Sequence, residues 1–193
     1  GSSAIEAPFV AYHDGWYYLF VSFDHSANGI DSTYKVMVGR SRRITGPYRD
    51  MDGESMLRGG GTLLLAGYGQ WRGPGSNAVL SDGERDWLVH HAYDAENSSV
   101  PTLQVRPLLW ADNGWPLAGE PWTGEEAPRP LTPADVEGTW AHSLDFGPVS
   151  QIGLLENGEI AGPVPDAIWS LTGSQLTLRW PSPQVPGGVW VEK

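Results

Sequence analysis

Short runs of apolar and aromatic residues, each closed by turn residues, repeat along the first 118 residues of the chain. Residues 8–12 and 16–23 form two such runs, and His13-Asp14-Gly15 between them is typical of a β-hairpin. No stretch repeats apolar residues at helical spacing for long enough to predict a helix. The pattern therefore predicts an all-β sandwich, barrel or propeller. Further strands are predicted at residues 34–38, 62–65, 77–80, 86–93 and 103–110.

The composition changes near residues 119–133, where prolines stand among Glu, Gly and Thr. Such a stretch is typical of a linker. Beyond it lies a second set of short predicted strands, separated by turn residues. We therefore predict two units, residues 1–122 and residues 123–193, and the second is a small, incomplete β-sandwich or barrel. Its strands are predicted at residues 138–146, 151–155, 168–171 and 176–180.

Charge and composition exclude several classes of function. With 12 Lys and Arg against 23 Asp and Glu, the 193-residue chain carries a formal charge of −11. This charge argues against nucleic acids and anionic membranes as partners, because both need a basic face. The absence of cysteine excludes a disulfide framework, a cysteine-ligated zinc and a thiol nucleophile. Ten tryptophans, with 25 glycines and 16 prolines, favour tight turns and flat aromatic surfaces of the kind that sugars bind.

The carboxylate of Glu6 is the first candidate for chemistry. Its neighbours Ile5, Ala7, Pro8 and Phe9 are apolar, and desolvation disfavours a charged carboxylate, so such a group could keep a proton near neutral pH. A general acid needs that proton. The alternative is a solvated glutamate before an edge strand. A single glutamate cannot perform glycoside hydrolysis, which needs a second carboxylate on the other face of the sugar.

Residues 5–9 (IEAPF) and 15–23 (GWYYLFVSF) resemble the fourth blade of arabinanases of glycoside hydrolase family 43. Later segments of the chain are similar to that family in the same order, and the ordered series is more specific than any single motif. The resemblance covers residues 4–117. The matching later segments are residues 31–41, 44–48, 59–64, 73–79, 87–94 and 112–116.

The resemblance implies the last blades of a five-bladed β-propeller that hydrolyses α-1,5-linked L-arabinofuranosyl bonds in arabinan with inversion. It places the general acid at Glu6. The base and the Asp that modulates the acid belong to earlier blades, so Asp24, Asp31 and Asp94 are interpreted as loop or turn residues. We expect this chain to be inactive without the missing N-terminal blades. We also expect a secreted or extracytoplasmic bacterial protein whose signal peptide lies outside this chain, since the N-terminus has no start methionine and no basic segment.

Five residues are predicted to contact the substrate, which we expect to be arabinan or an arabino-oligosaccharide. The aromatic candidates Phe23, Tyr34 and Trp71 are predicted to lie in loops, where a ring could stack on a furanose. His25 belongs to a loop that the resemblance places near the mouth of the funnel. Ser76 follows the Gly-Pro-Gly turn, at the position where the family has a histidine.

A calcium ion is usual in the family, and its histidine position is Ser76 here. A serine hydroxyl is a poor substitute for imidazole, so no cofactor and no metal ligand are predicted with certainty. His90 and His91 could be considered as replacements. Consecutive strand residues point to opposite faces, so at most one of them faces the funnel. We interpret both as structural histidines.

The second unit resembles the small C-terminal β-domain appended to some extracellular arabinanases. Its tryptophans Trp140, Trp169 and Trp180 are predicted to be buried in a small β core. Two alternative functions remain open at this point: a non-catalytic carbohydrate-binding β-protein, and a propeller hydrolase that acts on xylan or arabinoxylan.

Overall fold

A computed structural model describes residues 4–97, 100–124, 131–173, 175–181 and 189–192. The chain divides into two compact units, residues 1–123 and residues 124–193. Strands dominate both units, so the prediction of an all-β fold is confirmed. No helix among the described residues has the length and apolar character needed to cross a membrane.

The first unit consists of two antiparallel sheets of four strands, each built as a meander in chain order. The turn between the first two strands contains Asp14 and Gly15 with φ of 42° and 77°, the left-handed values that a two-residue hairpin loop requires. This hairpin was predicted correctly. The first sheet comprises β1 (Ile5–His13), β2 (Trp16–Phe23), β3 (Lys35–Ser41) and β4 (Thr62–Leu65), and the second comprises β5 (Trp71–Ser81), β6 (Asp86–Asp94), β7 (Val100–Trp110) and β8 (Pro116–Ala118).

The two sheets of the first unit contact each other chiefly through β5, which lies against β1, β2 and β3 of the first sheet. The guanidinium of Arg40 on β3 lies 4.4 Å from the ring centre of Trp16 and 4.5 Å from that of Trp115. Tyr18 donates a hydrogen bond to the backbone oxygen of Gly114. These contacts join the first sheet to the loop between β7 and β8, as neighbouring blades of a propeller require.

The second unit contains a short helix α1 and two antiparallel sheets of three strands. Trp169 and Trp180 are buried in its core, at 8% and 4% exposure, as predicted. The prediction for Trp140 is wrong, because this side chain is 46% exposed. The reason is that its strand is an edge strand with most of its side chains open to solvent. The elements are α1 (Pro133–Val136), β9 (Gly138–Ser143), β10 (Val149–Leu154), β11 (Ile160–Ala161), β12 (Ile168–Thr172), β13 (Gln175–Pro181) and β14 (Val189–Glu192), in the orders β11-β10-β9 and β12-β13-β14.

Candidate active site

Glu6 lies at a bulge near the start of β1. The register pairs Glu6 with Ser22 and then shifts before Phe9 pairs with Phe20, and Ala7 takes a left-handed φ of 52°. Bulges of this kind redirect side chains and occur often beside active sites. Of the two interpretations of Glu6, the structure agrees with the solvated one: its side chain is exposed on β1, the edge strand of its sheet, and its apolar neighbours do not bury it.

The carboxylate of Glu6 accepts a hydrogen bond from a buried tyrosine. The hydroxyl of Tyr34 donates to Oε1 of Glu6 at 2.8 Å, and the hydroxyl of Ser26 lies 3.4 Å from the same oxygen. Burial raises the pKa of Tyr34 to about 12, with a smaller contribution in the same direction from Glu6. Tyr34 therefore keeps its proton at neutral pH and acts as a donor to the carboxylate.

Tyr34 lies in the loop immediately before β3 and is enclosed by residues of three strands, β2, β5 and β6. Its ring stacks on that of His91 at 5.7 Å between ring centres. A Cβ added to Gly75 would lie 2.1 Å from Cδ1 of Tyr34, so the glycine makes room for the ring. The Tyr34 hydroxyl also hydrogen-bonds the side chain of Ser22, and Ser22 accepts from the backbone N–H of Ser76 at 2.9 Å.

Two of the three aromatic residues that were predicted to contact the substrate are buried. Phe23 is the last residue of β2 and is 5% exposed, and Tyr34 is 2% exposed. The prediction that their rings form loop platforms for sugar is therefore wrong, because both rings belong to the core of the first unit. Trp71 is also not a loop residue. It is half-buried at the start of β5, and its backbone pairs with that of Tyr68 in an isolated β-bridge.

The other two predicted contacts are exposed. His25 lies after β2, and its backbone N–H donates to Oγ1 of Thr33 at 3.3 Å. Ser76 has a φ of 53° and lies where the pairing of β5 with β6 shifts register. The structure thus brings Glu6, Tyr34 and Ser76 together through Ser22. Trp71 starts β5, the strand that also carries Ser76.

His91 is a neighbour of the site that the sequence prediction did not include. Its ring stacks on Tyr34, whereas the side chain of His90 contacts Arg106. The prediction that the two histidines take opposite faces is therefore confirmed. Strand alternation was the signal that could have placed His91, but it could not show which of the two histidines would lie beside Tyr34.

The calcium ion that is usual in the family stays a prediction for this chain, in which Ser76 stands at the histidine position. Among the described residues no group of three or more His, Asp or Glu side chains is placed to hold a metal ion. Ser76 offers a neutral hydroxyl, which is a weaker ligand than the imidazole or carboxylate that such a site uses. We therefore derive no step through a cation. The candidate site therefore consists of the solvent-exposed carboxyl group of Glu6 and the buried hydroxyl of Tyr34, which donates a hydrogen bond to it.

Comparison with known proteins decides the family. The model of glycosyl hydrolases family 43 matches residues 1–116. This chain belongs to glycosyl hydrolase family 43. The extracellular endo-α-(1→5)-L-arabinanase 1 of Bacillus subtilis is 50% identical over 113 residues, which are 58% of this chain and 34% of that protein. The family 43 chain therefore spans about a third of the length of the curated relatives it matches.

Solved structures place the chain among the arabinanase propellers. The Cellvibrio cellulosa α-L-arabinanase complexed with arabinohexaose matches with a TM-score of 0.59 and 42% identity, over 61% of this chain and 38% of that one. The endo-1,5-α-L-arabinanase of Thermotoga petrophila matches with a TM-score of 0.76 over 94% of this chain and 47% of that one; at 24% identity it shows the fold alone. The predicted partial propeller is confirmed.

Proposed function

We propose that this chain forms the acid-bearing part of an inverting glycoside hydrolase that cleaves α-1,5-linked L-arabinofuranosyl bonds in arabinan. The observation that carries the proposal is Glu6, an exposed carboxyl group whose Oε1 is bound by the buried Tyr34 hydroxyl. An exposed carboxyl can reach a bound polysaccharide, and its second oxygen remains available for proton transfer. The arabinanase names of the relatives support this substrate.

The reaction needs a second carboxylate, which we assign to the remaining blades. In an inverting enzyme the acid protonates the leaving glycosidic oxygen while a base activates water on the other face of the sugar, with the two carboxyls roughly 6.5–9.5 Å apart. Asp24 is paired with Lys35 at 2.8 Å, and Asp94 accepts from Gln70 and from the backbone of Glu96. Both aspartates therefore serve local structure. On this proposal the chain is inactive until the other blades close the propeller.

The exposed predicted contacts remain candidates for substrate binding. His25 and Ser76 are exposed and Trp71 is half-buried, so each could contact arabinan or an arabino-oligosaccharide. Ser76 is linked to Glu6 through Ser22, which is the register partner of Glu6 and accepts from the Ser76 backbone. His25 precedes Ser26, whose hydroxyl lies 3.4 Å from Oε1 of Glu6. The extracellular relatives support secretion, which we propose for this protein as well.

The test is Glu6→Gln in the whole protein, assayed on linear arabinan and on xylan. We expect wild-type cleavage of arabinan with inversion, seen by NMR of the first-formed anomer, and a fall in kcat of about 10²- to 10⁴-fold in the variant. The exposed Glu84, in the turn between β5 and β6, provides the control Glu84→Gln. Preference for xylan would change the substrate, and binding of arabinan without hydrolysis would favour a carbohydrate-binding protein. An unchanged kcat would remove Glu6 from the acid role.

A further inference from the structure

A chain of hydrogen bonds crosses from β5 to the carboxylate of Glu6. The backbone N–H of Ser76 donates to Oγ of Ser22 at 2.9 Å, the Ser22 side chain bonds the hydroxyl of Tyr34, and Tyr34 donates to Oε1 of Glu6 at 2.8 Å. An amide N–H can only donate and a carboxylate can only accept. All the bonds therefore run in one direction: the hydroxyls of Ser22 and Tyr34 each accept one hydrogen bond and donate one.

The ring of Tyr34 is held in place by packing, in addition to the hydrogen bonds of its hydroxyl. His91 stacks on it, and the backbone of Gly75 approaches so closely that a Cβ there would lie 2.1 Å and 2.2 Å from two ring carbons. The Tyr34 side chain is 2% exposed and Ser22 is fully buried. Because the surrounding atoms leave no room for another rotamer, the position of the Tyr34 hydroxyl is set by the packing between the two sheets.

Glu6 has no such packing of its own. It is exposed on an edge strand, beside a bulge, and a glutamate side chain in that setting samples many rotamers. Its other described side-chain contact is the 3.4 Å one from Ser26, which is near the limit of a hydrogen bond. The short bond from Tyr34 therefore selects the rotamer of Glu6. With Oε1 occupied, the proton that an acid must deliver sits on Oε2.

From this geometry, and resting on the proposed function, we infer that Tyr34 is a positioning residue: it holds the carboxyl of Glu6 in the orientation from which Oε2 protonates the leaving glycosidic oxygen. An acid must lie within hydrogen-bond reach of the oxygen it protonates. Loss of the Tyr34 hydroxyl should thus weaken acid catalysis while leaving the fold and substrate binding in place. The Gly-Pro-Gly segment, which the structure places within β5 rather than in a turn, needs its second glycine because a Cβ there would overlap the Tyr34 ring.

The test compares two substrates of the whole protein with Tyr34→Phe. Natural arabino-oligosaccharides have a poor leaving group that needs protonation, whereas aryl arabino-oligosaccharides with an acidic phenol do not. We expect kcat to fall about 10- to 100-fold on the natural substrate, and to change less than about 3-fold on the aryl substrate, with KM little altered. Retained activity on the aryl substrate also reports that the variant folds. Ser22→Ala should show the same difference in kcat between the natural and the aryl substrate, to a smaller degree.

The matched control is Tyr48→Phe, which removes a tyrosine hydroxyl that donates to the backbone of Ile44 at 2.7 Å, away from Glu6. It should leave both activities unchanged. Equal losses on the two substrates in Tyr34→Phe would show a general structural role and overturn the inference, and so would unchanged kcat on both. A wild-type protein that cleaves neither substrate would instead overturn the proposed function, and the inference with it.

Discussion

Nε of Arg106 donates a hydrogen bond to Nε2 of His90 at 2.9 Å, and both side chains are 1% exposed within the second sheet. Nδ1 of His90 lies 2.8 Å from the backbone oxygen of His91. A carbonyl can only accept, so Nδ1 carries the proton and Nε2 is the acceptor for the guanidinium. His90 is therefore a neutral imidazole. Burial lowers its pKa to about 4, and the charge of Arg106 acts in the same direction.

This histidine should make the first unit less stable in acid. Between pH 4 and 6.5 the unfolded chain binds a proton at His90 and the folded chain does not, so stability is full above pH 6.5 and falls as the pH is lowered. The loss from this group reaches at most about 3 kcal/mol near pH 4. Urea unfolding at pH 7.5 and pH 4.5 measures it. His90→Gln should show a smaller difference between the two pH values, and an equal difference would contradict the assignment.

Arg106 should be one of the most costly positions to truncate. It also donates to the hydroxyl of Tyr68 at 2.6 Å, the backbone oxygen of Gly119 at 3.0 Å and Oε1 of Gln104 at 2.8 Å. Arg106→Met leaves these acceptors and His90 without their donor, and each buried group without a partner costs about 1–3 kcal/mol. We expect a loss of about 3 kcal/mol or more in the free energy of unfolding.

The matched control for Arg106→Met is Arg58→Met, since Arg58 is exposed and belongs to a surface 3₁₀ turn. Exposed substitutions of this kind change stability by no more than about 0.5 kcal/mol. If both variants unfold at the same urea concentration as the wild type, the Arg106 network does not stabilise the first unit.

Gly75→Ala should reproduce the effect of losing the Tyr34 hydroxyl. The new methyl would overlap two ring carbons of Tyr34, so the ring must move and its bond to Glu6 must lengthen. We expect kcat on natural arabino-oligosaccharides to fall at least about 10-fold. The control is Gly153→Ala on β10, where φ is not left-handed and the new methyl meets its nearest atom at 3.4 Å, an ordinary contact.

A double-mutant cycle between Tyr34→Phe and Gly75→Ala adds a second measurement. If the glycine acts through the tyrosine hydroxyl, the two losses in kcat should not add, because the first variant has already removed the bond that the second disturbs. Additive losses would mean that Gly75 affects catalysis by another route.

The sequence predicted those parts of the site that depend on local pattern or family motif. The hairpin at Asp14-Gly15 follows from turn chemistry, and Glu6 follows from the family motif at the start of β1. The bond between Glu6 and Tyr34 joins residues 28 apart and depends on the bulge at Ala7, whose left-handed φ no propensity indicates. The sequence therefore supplied Glu6 as the candidate acid, and it named Tyr34 as a substrate contact rather than as the residue that holds the Glu6 carboxylate.

Burial was the property that the sequence predicted least well. Phe23 and Tyr34 stand beside loop residues in the sequence, yet both are buried, and Gly75 of β5 and His91 of β6 enclose the Tyr34 ring. Arg106 alternates with apolar neighbours as a solvent-facing residue would, yet it is buried because His90, Gln104 and Tyr68 accept its hydrogen bonds. Contacts between strands that are distant in sequence decide these cases.

Two tryptophans of the second unit should respond very differently to truncation. Trp169 is 8% exposed within the core, and its Nε1 donates to the backbone of Leu155 at 2.9 Å. Trp169→Leu should cost about 3 kcal/mol, chiefly through the cavity that the smaller side chain leaves in the core, since the Leu155 carbonyl still accepts from the backbone N–H of Gly158. Trp140 is exposed on an edge strand, with Nε1 donating to the backbone of Val136, so Trp140→Leu should cost no more than about 1 kcal/mol. Urea unfolding of the two variants measures the difference, and equal losses would place Trp169 outside the core.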